Sequence, residues 1–128
     1  KTVQAFLKSI DQSIPMGIRD YSMFILMTTY GLRACEVVSL TLDDIEWRTQ
    51  QLRIPQKKTG KLLILPLTDE VAMALVDYLR NVRPVSSLRQ VFLRMRAPIG
   101  ILKPTAVIEA FQHWSKLSGL SIPFQGAH

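Results

Sequence analysis

Thr28 to Trp47 reads TTYGLRACEVVSLTLDDIEW. An apolar helix runs into Gly31 and restarts at Leu32, and Arg33 and Glu36 follow three residues apart, the spacing that puts two side chains on one face of a short second helix. Val37, Val38 and Leu40 supply that helix with a buried side. A cation in the first helical turn opposes the macrodipole, so Arg33 is an odd choice for stability alone. A bound anion removes the oddity, because a guanidinium fork and helix-start N–H groups both offer donors to phosphate oxygens. The plainer alternative is a solvated arginine making a weak pair with Glu36.

The pattern G-L-R-x-x-E-x-x-x-L followed by D-D-I-E resembles the first motif box of the tyrosine recombinases, the phage-integrase family of site-specific DNA recombinases. The resemblance implies that Arg33 is the first catalytic arginine and Glu36 its acidic partner. QLRIPQKKTGKLLILPL, from Gln51 to Leu67, looks like the family's hairpin, which implies Lys58 as the catalytic lysine just before Thr59-Gly60. Gly126-Ala127-His128 resembles the opening of the H-x-x-R box and places the box histidine at His128. The three matches stand in the family's order and span roughly Tyr21 to His128. Tyr21, Tyr30 and Tyr78 all precede the third box, so none holds the family's nucleophile position. The chain is therefore expected to be a partial catalytic domain over residues 1–128. The DNA-clamping domain, second arginine and nucleophilic tyrosine are expected outside it, and the fragment alone is expected to be inactive.

The resemblance implies attack by a tyrosine on a DNA phosphodiester through a 3′-phosphotyrosyl link, with no metal, nucleotide or other cofactor. The partners it implies are double-stranded DNA and other recombinase protomers. Two other readings use the same residues: a DNA-binding module without chemistry or a degenerate relative, and a helical interaction domain whose basic loops meet acidic partners.

Composition bounds these readings. The 128 residues, 48% apolar, suffice for one domain with a core. No apolar run approaches the ~20 residues of a membrane span and no signal pattern opens the chain, so a cytoplasmic protein is expected. Cys35 has no disulfide partner, no Cys/His cluster has metal-ligand spacing, and a thiol on a core-facing helix is the default.

The net charge is +6, and its distribution is uneven. Arg48, Arg53, Lys57, Lys58 and Lys61 occupy an acid-free run, and so do Arg80, Arg83, Arg89, Arg94, Arg96 and Lys103. Such segregation suits a polyanion. Lys57, Lys61, Arg94, Arg96 and Lys103 are the candidate DNA contacts beside the catalytic set.

The remaining pattern predicts an α+β fold, mainly helical, with helices around a buried central helix and a small antiparallel sheet of two or three strands. Val3, Phe6, Leu7 and Ile10 have helical spacing. Met16 to Tyr30 reads as a long helix, opened near Pro15 and apolar almost all round from Tyr21 to Met27. Gln51–Pro55 and Lys61–Leu67 flank a hairpin turn with Gly60 available for positive φ. Thr68 caps a helix with Asp69 and Glu70 in its first turn, Arg80 and Arg83 at its end, and Pro84 beyond. Val91-Phe92-Leu93 suggests a short strand, and Arg94 to Lys103 a basic loop. From Pro104 another helix aligns Val107, Ile108, Phe111, Trp114 and Leu117, leaves His113 outside, and stops at Gly119, after which Ile122 to Gly126 leads into the helix expected for the histidine.

Overall fold

The structure, a computed structural model, describes residues 2–56 and 59–119. Helices α1 (Thr2–Ser9), α2 (Pro15–Tyr30) and α3 (Ala34–Ser39) come first, and a 3-10 turn over Leu42–Asp44 follows. Strands β1 (Ile45–Glu46), β2 (Gln51–Pro55) and β3 (Leu62–Pro66) form an antiparallel sheet in that order. Helices α4 (Asp69–Asn81) and α5 (Pro104–Ser118) complete the fold, which is α+β and mainly helical as expected.

Helix α2 is the centre. Pro15 opens it, where a missing N–H costs nothing, and Gly31 ends it in the left-handed region at φ 68° with its N–H on the Met27 carbonyl at 2.8 Å. Met23, Phe24, Ile25, Leu26 and Met27 are all buried, as the apolar run requires. Phe24 meets Phe6 of α1 and Phe111 of α5 with ring centroids 5.7 and 6.0 Å apart, so one aromatic cluster joins three helices. Along α4, Val71, Leu75 and Tyr78 are fully buried, and Thr68 accepts the Val71 N–H at 3.2 Å as its cap.

The sheet alternates as a half-buried sheet should. Leu52 and Ile54 enter the core while Arg53 and Pro55 face out, and the register pairs Arg53 with Ile64 and Pro55 with Leu62. Backbone bonds from Gln56 N–H to the Lys61 carbonyl and from Gly60 N–H to the Gln56 carbonyl, both 2.8 Å, close the β2–β3 turn, with Gly60 at φ 69°.

Three expectations need correction. Val91-Phe92-Leu93 is buried but is no strand: it lies between isolated bridges, Thr41 with Gln90 and Leu93 with Ile101. Its neighbours reach it one bond at a time, as where Val91 N–H meets the Leu40 carbonyl at 2.9 Å. Leu117, aligned with the apolar face of α5, is 66% exposed, because the last turn of that helix runs past the core. Cys35 lies on a core-facing helix, but the buried side of α3 is Ala34, Val37 and Val38, and the cysteine is exposed.

Candidate functional site

Arg33 sits at the junction of α2 and α3. Leu32 is buried and anchors the turn, while Arg33 itself is exposed. It is not in the first turn of α3. It is the N-cap, extended at φ −85° and ψ 159°. Its carbonyl accepts the N–H groups of Glu36 and Val37 at 3.0 and 3.1 Å, and its own N–H donates to the Glu36 carboxylate at 2.8 Å. Glu36 therefore fixes the backbone of Arg33, in the manner of the acidic residue of a capping box. The side-chain pair suggested by their spacing is replaced by this contact. Because α3 has only six residues, its dipole is small, and any affinity for an anion rests mainly on the guanidinium.

Tyr30, one residue before the turn, ties the hairpin to this junction. Its hydroxyl donates to the Pro66 carbonyl at 2.7 Å and accepts the Thr68 N–H at 3.1 Å. The end of β3 is thereby held at the end of α2. Nothing in the sequence around Tyr30 points to this tie, because no local pattern says that a helix-end tyrosine reaches a strand 36 residues on.

Lys58 and His128 lie outside the described residues, as does Lys57. Lys61 is exposed beside the hairpin turn, just before β3 begins, its N–H on Thr59 Oγ1 at 3.2 Å. Arg94, Arg96 and Lys103 are exposed on the loop that leads into α5. That loop is closed at its neck by the Leu93–Ile101 bridge and by Arg94 N–H on the Gly100 carbonyl at 2.9 Å. The Arg94 guanidinium also donates to the Pro98 carbonyl at 3.2 Å, which holds the side chain against its own loop.

Part of the positive charge is engaged within the chain. Arg83, half-buried, donates to the carbonyls of Leu88, Gln90 and Val91 and is the staple of that loop. Arg89 pairs with Asp43 at 2.7 Å, which holds the Asp43 carboxyl below its ordinary pKa and links residue 89 to the turn after α3. Arg19 is buried against Asp20 at 2.9 Å. The acid-free run that contains Arg83 and Arg89 is therefore only partly available to a polyanion. Its outward cations include Arg80, Arg94, Arg96 and Lys103.

Among the described residues no group of acids, histidines and cysteines could hold a metal ion, and no helix is long and apolar enough to cross a membrane.

Known proteins resemble this chain in sequence and in fold. The model of the phage integrase family matches residues 1–128. The Sinorhizobium fredii protein y4rA, named as an integrase/recombinase, is 39% identical over 127 residues, covering 98% of this chain and 31% of that protein. The tyrosine recombinase XerD of Listeria monocytogenes is 35% identical over 82 residues, 64% of this chain and 27% of that one. The crystal structure of XerA recombinase superposes with a TM-score of 0.80 at 15% identity, over 98% of this chain and 43% of the other. The chain thus spans less than half the length of these relatives. The family model spans the whole of this sequence, and the chain belongs to the phage integrase family.

Proposed function

We propose that the protein containing these residues is a site-specific tyrosine recombinase that cuts and rejoins duplex DNA without metal or nucleotide. The observation that carries this reading is the exposed Arg33, its backbone fixed by Glu36, three residues beyond the end of the central helix at Tyr30. A phosphodiester in the course of displacement gathers charge on its nonbridging oxygens, and a fixed guanidinium stabilises that state more than the ground state.

In this mechanism a tyrosine from sequence beyond His128 attacks phosphorus. A 3′-phosphotyrosyl bond forms, the bond from phosphorus to the 5′-oxygen breaks, and that oxygen takes a proton from the Lys58 ammonium. The freed 5′-hydroxyl later attacks the phosphotyrosyl link of a partner strand and returns the tyrosine. His128 hydrogen-bonds the phosphate or assists proton transfer at the nucleophile. Glu36 positions Arg33. Lys57, Lys61, Arg94, Arg96 and Lys103 hold flanking phosphates, and further protomers assemble on the same DNA.

The hairpin tether supports the place given to Lys58: Tyr30 holds the base of β3 beside the Arg33 turn, so a lysine on the hairpin starts from an anchored strand. The test is a nicked duplex carrying the recombination site, incubated with the whole protein and resolved under denaturing conditions. A DNA adduct that resists denaturation and is digested by protease supports the reading. Salt-dependent binding without an adduct leaves the binding-module alternative in its place.

A further inference from the structure

A buried polar chain outside the Arg33 site runs through three helices and ends on the basic loop. Trp114 Nε1 of α5 donates to Asp20 Oδ2 at 2.9 Å, and Asp20 Oδ1 accepts from Arg19 at 2.9 Å. Arg19 Nη1 reaches on to the Leu93 carbonyl at a longer 3.4 Å. From the other side, the Leu93 N–H donates to the Tyr78 hydroxyl of α4 at 3.1 Å. Trp114, Asp20, Tyr78 and Leu93 are each at most 3% exposed, and Arg19 is 6% exposed.

Both backbone polar groups of Leu93 are thus held by side chains rather than by a strand partner. Leu93 is also the last residue before Arg94, and Trp114 lies on the helix that leaves the loop. Ion pairs buried this deeply seldom add net stability, and an apolar set of the same volume often serves as well, so the arrangement suits position better than stability.

We infer that Arg19, Asp20, Tyr78 and Trp114 are positioning residues that set where the basic loop, with Arg94 and Arg96, presents its charges relative to Arg33. Helix α2 joins the two ends, with Arg19 in its first half and Arg33 just past its last turn. One rigid element therefore fixes the distance between two contacts on the same DNA backbone. The inference rests on the DNA reading above and adds to it the residues that align one phosphate contact with another.

Tyr78→Phe is the decisive variant, because the ring keeps its packing on Phe92, 5.2 Å away between centroids, while Leu93 N–H loses its acceptor. The measurements are duplex DNA affinity against salt for wild type, Tyr78→Phe, Arg96→Ala and the double variant. They are made well below each variant's unfolding temperature, with amide exchange at Leu93 followed in parallel. If the inference holds, Tyr78→Phe lowers the salt slope by about one phosphate contact, and Arg96→Ala costs at least about twofold less in the Tyr78→Phe background than alone. Exchange at Leu93 accelerates while the amides of Met23 to Met27 stay protected. Additive losses with an unchanged salt slope overturn it and leave the chain a purely structural device. An Arg96→Ala variant with wild-type affinity overturns it by another route, by removing the loop from the DNA surface before Tyr78 is touched.

Discussion

The Glu36 carboxylate accepts the backbone N–H of Arg33 at 2.8 Å, so the acid three residues after the arginine governs where the arginine's main chain lies. Removing that acceptor leaves an N–H at a helix start without its partner. Glu36→Ala is expected to cost about 1 kcal/mol in chemical denaturation, while Glu36→Gln, which keeps a carbonyl oxygen, costs less than half of that. In the whole protein Glu36→Ala should slow strand cleavage more than it weakens DNA binding, and Glu36→Gln should recover much of the rate. An equal effect of both substitutions on cleavage would mean that the charge of Glu36, not its cap, matters.

On the proposed mechanism, Arg33→Lys should separate binding from chemistry. Lysine keeps the charge but presents a single ammonium in place of the planar fork, so it cannot hold two phosphate oxygens at once. Cleavage by the whole protein is expected to fall at least about a hundredfold, the usual cost of removing an oriented donor from a transition state. Duplex affinity should change less than about threefold, since the long-range charge is retained. Cleavage at the wild-type rate would remove Arg33 from the reacting phosphate.

What could be read from the sequence divides by range. Gly31, Thr68, Gly119 and Pro15 each act within one turn of chain, and each stands where local rules put it. The apolar run of α2 and the alternation of β2 were equally legible, because burial imposes its own period. The spacing of Arg33 and Glu36 brings the two together and only the family resemblance gives them roles; what the spacing misassigns is the contact, since two residues three apart can meet through a backbone as well as between side chains. The polar pieces that hold the elements together left no local trace. Arg19 meets Leu93 across 74 residues, Trp114 meets Asp20 across 94, and Tyr30 meets Pro66 across 36. Arg83 resembled a helix-end cation, yet its donors go to a loop that folds back over it. Val91 to Leu93 imitated a strand because three apolar residues in a row suit any buried extended segment.

The aromatic cluster should carry much of the stability of the helical layer. Phe24 is 2% exposed and lies between Phe6 and Phe111, which are themselves 5.1 Å apart. Phe24→Ala is expected to cost about 3–5 kcal/mol in denaturant unfolding. Phe24→Leu keeps most of the volume and should cost clearly less. A loss below about 1 kcal/mol for Phe24→Ala would show that α1 and α5 close over the gap.

At Gly17 the backbone of the α1–α2 connection lies where a side chain on α2 would have to go. A Cβ there would lie 1.7 Å from the Asp11 carbonyl oxygen, a backbone atom that no rotamer change can move aside. Gly17→Ala must shift the Asp11–Ser13 turn, and with it the Asp11 carboxylate that accepts the Ser13 N–H at 2.9 Å. Alanine is ordinarily the better helix residue by about 1 kcal/mol. The expected outcome is the reverse, a loss of at least about 2 kcal/mol seen as a lower denaturation midpoint. A stabilised Gly17→Ala protein would show that α1 and its turn are free to move away from α2.

Tyr78 gives the stability curve an alkaline limb. Its hydroxyl is buried between α4 and Leu93, and burial raises its pKa above the ordinary value of 10.0, a rise only partly offset by the Leu93 N–H that it accepts. In the unfolded chain the same phenol ionises near its ordinary value. Below that pH both states carry the proton and the group adds no pH dependence. As the pH climbs past about 10 the unfolded state loses its proton first, so stability falls until the folded-state pKa is reached. Tyr21, whose pKa is also raised by burial and by the Glu70 carboxylate, adds to the same limb more weakly because it is closer to solvent. Denaturant unfolding between pH 8 and about pH 11 should therefore show a decline that Tyr78→Phe makes shallower, although that variant starts from a lower value near neutrality because Leu93 N–H has lost its acceptor. Parallel curves for wild type and Tyr78→Phe would assign the alkaline loss to other groups and would mean that water reaches the Tyr78 hydroxyl in the folded state.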